Sequence, residues 1–460
     1  MDAQTMIPDD RDLGDIQGLV YSGWTDHPFA GYLFATLGGD AARSRAWLGS
    51  VADAVTPALP RSRPRHGRLH IAVSATGLRA LGVPLDVIGV LPAEAQDGMA
   101  ARRQTLADAD PATWQLGGRD QRLDVLVMVY AKDAGARAVE LDAHRDRLRA
   151  AGATVYADEL TWPVHDREHF GFADGLSQPF LPGLHGAPRT GETRIATGEI
   201  LLGYPNAYDQ IPITPSWNDF DLGRNGTFLV FRKLSQDVAG LWHWIAQHAA
   251  RLAGGDRKAA AELTELIGAK LVGRWRSGAP LSLTPDHDNS SFASRDRRNA
   301  FKFLAHDLDG LRCPISAHIR RANPRDARGG TAETSETVVS RHRILRRGRS
   351  YGAPLTHDDA CAGRDDGGAR GLYFISLQSS IARGFEFIQQ SWLANPGFGG
   401  LHREPDPIIG RPPNGAPYHI TIPAEPVRLR LSDVPTVVTH LGGGYFLLPS
   451  RSALAFIARQ

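Results

Sequence analysis

GYLFATL, residues 31–37, runs after Gly38 straight into GDAARSRAWLGSVADAV, residues 39–55, and the fold follows from how often that arrangement returns. A short apolar run of strand length leads into a helix-like segment. The same order recurs three times. VLVMVY, 125–130, precedes KDAGARAVELDAHRDRLRAAG, 132–152; TFLVF, 227–231, leads towards SQDVAGLWHWIAQHAARL, 235–252; and LYFISL, 372–377, towards SSIARGFEFIQQSWL, 379–393. Further strands are expected at LHIAVSA, 69–75, ATVYADEL, 153–160, and YFLLPS, 445–450. Each half then reads β-α-β-β-α-β, the split βαβ pattern of a ferredoxin-like unit. The expected class is α+β, a duplicated pair of such units.

The division is expected in the polar stretch from Tyr208 to Arg224, giving an N-terminal domain over 1–215 and a C-terminal one over 216–460. The second half carries a long insertion, from about Arg251 to Gly371, rich in Arg, Gly, Asp and Pro. It is expected to be loops and short helices rather than sheet, and long loops of this kind commonly carry function.

Composition narrows the function classes. Lys and Arg number 52 against 50 for Asp and Glu, with no basic stripe, so nucleic acid is not an expected partner. Two cysteines, Cys313 and Cys361, are too few for a disulfide framework, which suits a reducing compartment. The start, MDAQTMIPDDRDLGDIQG, is acidic and lacks the basic and apolar regions of a secretory signal, and no run of 18 apolar residues would span a membrane. A cytoplasmic protein is the expectation.

Three stretches stand out for chemistry. In CPISAHIRRANPRD, 313–326, small residues before His318 would let a flat group approach the backbone, although a histidine ending a short helix and bonded to a carbonyl reads equally well. In EHFGFADGLSQP, 168–179, Asp174 lies between glycines that permit unusual torsions and near aromatics, Phe170 and Phe172, that would raise its pKa; the plain reading is a solvated Asp-Gly turn. RHRILRRGRSYG, 341–352, places five arginines in nine residues, which reads as a solvated basic face. The strand-like context of Ile344 and Leu345 would nonetheless turn one of Arg346 and Arg347 inward, where a guanidinium needs a carboxylate or an anion.

Together these stretches resemble the dye-decolorizing peroxidases, a haem family marked by a G-x-x-D-G motif, here Gly171 to Gly175. The resemblance runs through DIQGLV, TGLRALGV, GEILLGYPN, RNGTFLVFRKL, AKLVGRWRSGAPL, GLRCPISAHIRRANPR, ILRRGRSYG, FEFIQQSW and GGGYFLLPS. It implies a dimeric α+β barrel-like fold with haem b in the C-terminal unit, held without thioethers because no C-x-x-C-H is present. His318 would be the iron ligand, with Asp174 and Arg346 catalytic on the opposite face and Phe172, Gly175 and Arg346 against the cofactor. A carboxylate behind His318 is expected, with Glu386 the candidate and Asp288 the alternative. Gly348 stands where some relatives carry an asparagine. The implied reaction reduces hydrogen peroxide and oxidises dyes, phenols and other aromatic reductants in one-electron steps, large ones through an aromatic residue such as Trp392 or Tyr351. A deferrochelatase-like protein that binds haem or releases its iron is the alternative, a metal-independent enzyme a more distant one, and homo-oligomer formation is left open.

Overall fold

The strands form where the sequence is apolar on both faces, as strands covered on both sides must be. In β1 (Phe29–Thr36) the six central residues are buried, and all seven of β3 (Val125–Ala131) are. The computed structural model describes residues 6–59, 67–163, 167–411 and 416–460; the first five residues of the acidic amino terminus lie outside that set.

The first half contributes β1, helix α1 (Ala41–Ala52), β2 (Arg68–Val73), β3, helix α2 (Ala134–Ala150) and the short β4 (Thr154–Val155). The second contributes β5 (Thr227–Gln236), helices α3 (Val238–Leu252) and α4 (Arg257–Val272), then β6 (Leu345–Arg346), β7 (Arg349–Tyr351), β8 (Gly371–Gln378) and β9 (Val438–Leu448). Strand order is β4-β1-β3-β2 in one half and β9-β5-β8-β7 in the other, so both repeat the order 4-1-3-2 of a split βαβ unit. All pairings within the sheet are antiparallel. The duplication is therefore real, and β2 meets β9 through the pair Val73 and Leu447 to join the halves.

The two half-sheets face each other. Tyr32 of β1 lies 5.4 Å from Phe231 of β5 and 5.4 Å from Tyr373 of β8, edge to face. This aromatic interior is one core. The opposite face of the first half packs under α1 and α2, and the C-terminal helix Arg451–Arg459 closes over it beside α1.

Three segments differ from the sequence reading. ATVYADEL is broken: Thr154–Val155 and Glu159–Leu160 each pair with β1, separated by three residues outside the strand, of which Tyr156 still donates its N–H to Phe34 C=O at 2.9 Å. The insertion is not wholly without sheet, because β6 and β7 lie inside it and supply the second strand of the second unit. The segment after β8 winds wider than an α-helix, with Glu386 N–H donating to Ile381 C=O and Ala394 N–H to Gln389 C=O, each at 2.9 Å and five residues apart. Such wide turns re-aim side chains and are frequent at functional sites. Among the described residues no helix is long and apolar enough to cross a membrane.

Candidate active site

A cavity of about 2050 Å³, mouth included, lies between the outer face of the second half-sheet and the insertion. His318, Asp174 and Arg346 all line it.

Residues Pro314 to Ala317 turn the chain into the short helix His318–Ala322, which presents the His318 ring to the cavity. Its Nδ1 donates to Asp406 Oδ2 at 3.0 Å, which leaves Nε2 as the free nitrogen. Asp406 is fully buried, and its Oδ1 accepts from the N–H groups of Ile408 and Ile409, both at 2.9 Å. Burial alone would raise the Asp406 pKa. The facing His318, its hydrogen bond and the nearby Arg321 overcome that and hold it below the ordinary carboxylate value.

Asp406 therefore occupies the place expected for Glu386 or Asp288. Glu386 instead accepts from Arg102 Nε at 3.0 Å and NH2 at 2.7 Å and from the Tyr445 hydroxyl at 3.0 Å, and it is not among the cavity-lining residues. Asp288 is tied to the hydroxyl and N–H of Ser277. EPDPIIG, 404–410, did hold a signal. A short acidic side chain before Pro407 is suited to capping its own turn, but the histidine it serves is 88 residues earlier in the chain.

On the catalytic loop, Gly171 has φ +88° and Gly175 φ +69°, the left-handed region that glycine alone enters freely. Gly175 N–H donates to Asp174 Oδ1 at 2.6 Å, so this glycine shapes the loop and is not itself among the cavity-lining residues. Phe172 does line the cavity, stacked on Trp242 at 5.9 Å. Arg346 NH1 stands 4.0 Å from Asp174 Oδ1, with side-chain exposures of 36% and 44%, so both groups reach the open space. The alternation expected in β6 holds. Arg346 faces the cavity, while Arg347 donates to the carbonyls of Leu19 and Val20 at 2.7 and 2.8 Å. Arg349 likewise leaves the site, for the carbonyls of Gly23, Trp24 and His27.

The aromatics near Asp174 do not enclose it; Phe170 and Phe172 pack into a core with α3. The carboxyl pushed up by burial is Glu168, to about 7, although the N–H groups of Phe170 and Phe172 and the amide of Gln236 all donate to it. Glu168 thus staples the Asp174 loop to β5. Its folded value exceeds the 4.5 of an ordinary glutamate, so the native state holds the extra proton. Its contribution to stability is present at low pH and is lost as pH rises through about 7. Urea titrations at pH 5 and pH 8 should show Glu168→Gln gaining stability relative to wild type at the higher pH; a constant difference would contradict this.

Six arginines line the cavity, Arg232, Arg274, Arg325, Arg343, Arg346 and Arg411, against the carboxylates Asp108, Glu168 and Asp174. Burial lowers Arg274 to about 9 and Arg343 to about 10, with Arg346 pressing on both, yet they stay charged at neutral pH. Among the described residues the Arg343 guanidinium has no acceptor, although only 8% of the residue is exposed. A buried cation in that state calls for an anion. Apolar walls from Ile319, Leu393, Ile408 and Ile409 flank His318. A free imidazole nitrogen, an uncompensated basic corner and apolar walls fit a flat iron porphyrin bearing two acid groups.

Trp392 and Tyr351 are only 1% and 7% exposed. Neither offers a surface on which a large dye would dock.

No family model matches the chain. It is 31% identical over 470 residues to a dye-decolorizing peroxidase of Exidia glandulosa, covering 98% of this chain and 88% of that one. It superposes on a fungal DyP-type peroxidase from Auricularia auricula-judae with a TM-score of 0.83 at 28% identity, covering 99% of this chain and all of that one. A dye-decolorizing peroxidase solved in complex with 2,6-dimethoxyphenol gives 0.81 at 28% identity, covering 97% and 99%. A deferrochelatase of Yersinia pestis is 34% identical, but over 114 residues, 25% of this chain and 20% of that protein. With likeness of that extent in both sequence and fold, on a cavity that sets a histidine with a free nitrogen beside an aspartate-arginine pair, the chain belongs to the dye-decolorizing peroxidases, haem-dependent oxidoreductases.

Proposed function

We propose that the cavity holds haem b without a covalent link and that the chain reduces hydrogen peroxide while oxidising dyes, phenols and related aromatic molecules. The observation that carries this is the His318–Asp406 pair, with its free Nε2 turned to a cavity in which the Arg343 guanidinium has no acceptor among the described residues. His318 would ligate the iron, and Arg343 with the neighbouring Arg325 would hold one of the acid groups. Neither cysteine lines the cavity, which supports retention without thioethers. In the proposed division the unit over 1–215 brings Asp174, and the unit over 216–460 brings His318 and Arg346.

When bound, the haem supplies the redox chemistry that splits the O–O bond. Asp174 would accept a proton from one oxygen of peroxide and return it to the other, which leaves as water, with the two electrons of the cleavage coming from the bound haem. Arg346, always charged, holds the negative charge that develops during this transfer. Asp406 fixes the His318 tautomer and ring orientation, with Nδ1 donating and Nε2 left for the iron. Phenols as reductants are supported by the 2,6-dimethoxyphenol complex of a relative.

The test is an absorption spectrum after haem supplementation. Wild type should show a Soret band and His318→Ala should lose it or shift it to the position of free haem; an unchanged band in the variant would refute ligation by His318.

A further inference from the structure

The cavity contains a second charged cluster that peroxide cleavage does not use. Asp108, from a first-unit loop, meets Arg232 of β5, His440 of β9 and Arg411. Arg232 donates to Asp108 Oδ1. His440 Nδ1 is 3.3 Å from Asp108 Oδ2 but without the alignment of a hydrogen bond. Arg232 is 4% exposed and His440 5%. Even so, among the described residues Asp108 Oδ2, Arg232 Nε and both ring nitrogens of His440 make no hydrogen bond of ordinary geometry, and Arg411 reaches the Val438 carbonyl at 3.5 Å. Buried polar atoms are rarely left so, and four together point to a missing ligand.

The cluster is built by a specific distortion. β9 slips register against β5 between His440 and Gly442, so Leu441 is extra and its carbonyl accepts from Gln115 N–H at 2.7 Å. Gly442 has φ +124°, and a Cβ there would stand 1.9 Å from the Leu116 carbonyl oxygen, so only glycine fits. Bulges of this kind re-aim a side chain, here His440 into the cavity. Trp114 meets His440 edge-on at 4.6 Å, and Phe385 lies 5.4 Å from the Arg232 guanidinium.

Two arginines against one aspartate leave one net positive charge, because burial keeps His440 neutral. Donors from Arg232, Arg411 and one His440 nitrogen converge there. A group with one negative charge and two acceptor oxygens satisfies them.

We propose that Arg232, Arg411, His440 and Asp108 form a carboxylate-binding subsite walled by Phe385, with Trp114 packed against His440. The carboxylate comes either from a free arylcarboxylate reductant or from an acid group of the porphyrin, the second source resting on the haem reading above.

The probes are benzoate and its neutral analogue benzamide, measured by calorimetry on the full chain before and after haem loading, for wild type, Arg411→Gln and His440→Leu. Circular dichroism of the variants checks that they fold. Benzoate binding at least tenfold tighter than benzamide in both states, with the preference lost in the variants, establishes a free arylcarboxylate as ligand. Benzoate binding only before loading, with Arg411→Gln taking up haem about tenfold more weakly but haem dimethyl ester as well as wild type does, establishes the porphyrin acid. Equal affinity for benzoate and benzamide, with haem uptake unmoved by either variant, overturns the subsite. A wild-type chain that takes up no haem refutes the haem reading instead, and the comparison on the unloaded chain still decides the subsite.

Discussion

Asp174→Asn is expected to lower kcat/KM for hydrogen peroxide by roughly 10²–10⁴-fold, the usual worth of a positioned proton carrier. The amide keeps the size and a hydrogen-bonding oxygen but neither takes nor returns a proton. Gly175 N–H can still donate to that oxygen, so the loop between Gly171 and Gly175 should keep its shape. Stopped-flow mixing with peroxide isolates the step, and the Soret band with its His318 ligation should be unaltered. Arg346→Leu should slow the same step without removing the proton carrier. If both variants react with peroxide as fast as wild type, the aspartate-arginine pair has no part in cleavage.

Asp406→Ala should be the most damaging change on the opposite side. It leaves the His318 Nδ1 proton and two half-buried N–H groups, of Ile408 and Ile409, without an acceptor. It also removes the negative charge nearest Arg321, which is fully buried and bonded to carbonyls, those of Trp392 and Glu404 among them, at 2.9 and 3.0 Å. Leaving a buried donor without its acceptor costs about 1–3 kcal/mol. Loss of the group behind a metal-bound histidine costs about 10–100-fold in metal affinity. Urea unfolding and haem transfer to apomyoglobin read these separately. Acid should act in the same direction. The folded Asp406 value is depressed, so its contribution is complete above the ordinary 3.8 and is lost as pH falls below it. A variant with wild-type stability and haem retention would show that Asp406 does not support His318.

The sequence revealed what is local and hid what is distant. Strand-helix pairs announced themselves because their apolar runs are continuous, and the alternation at Ile344 to Arg347 was enough to say that one arginine turns inward. β7 was missed, and β6 was read only as a strand-like context inside a loop-rich insertion, because three and two residues carry too little periodicity to stand out among arginines. Glu386 was a natural choice beside the iron ligand, being a lone acid in an apolar helix. The wide turns there send it to Arg102 and Tyr445 instead. Asp406 gains its meaning only when the stretch after β8 folds against the insertion, and Asp108 only when the two halves assemble, and no spacing in the chain encodes either.

The anchoring of Arg347 and Arg349 gives the amino-terminal segment a task beyond covering a core. Leu19 and Arg347 are 328 residues apart in the chain, yet carbonyls of Leu19, Val20, Gly23, Trp24 and His27 hold Arg347, next to Arg346 in the chain, and Arg349 of β7. The segment works as a jig: it sets how far β6 is drawn down and therefore where the neighbouring guanidinium points. Trimming the chain to begin at β1 would leave every cavity residue in place by name and still injure the enzyme, through an arginine free to swing.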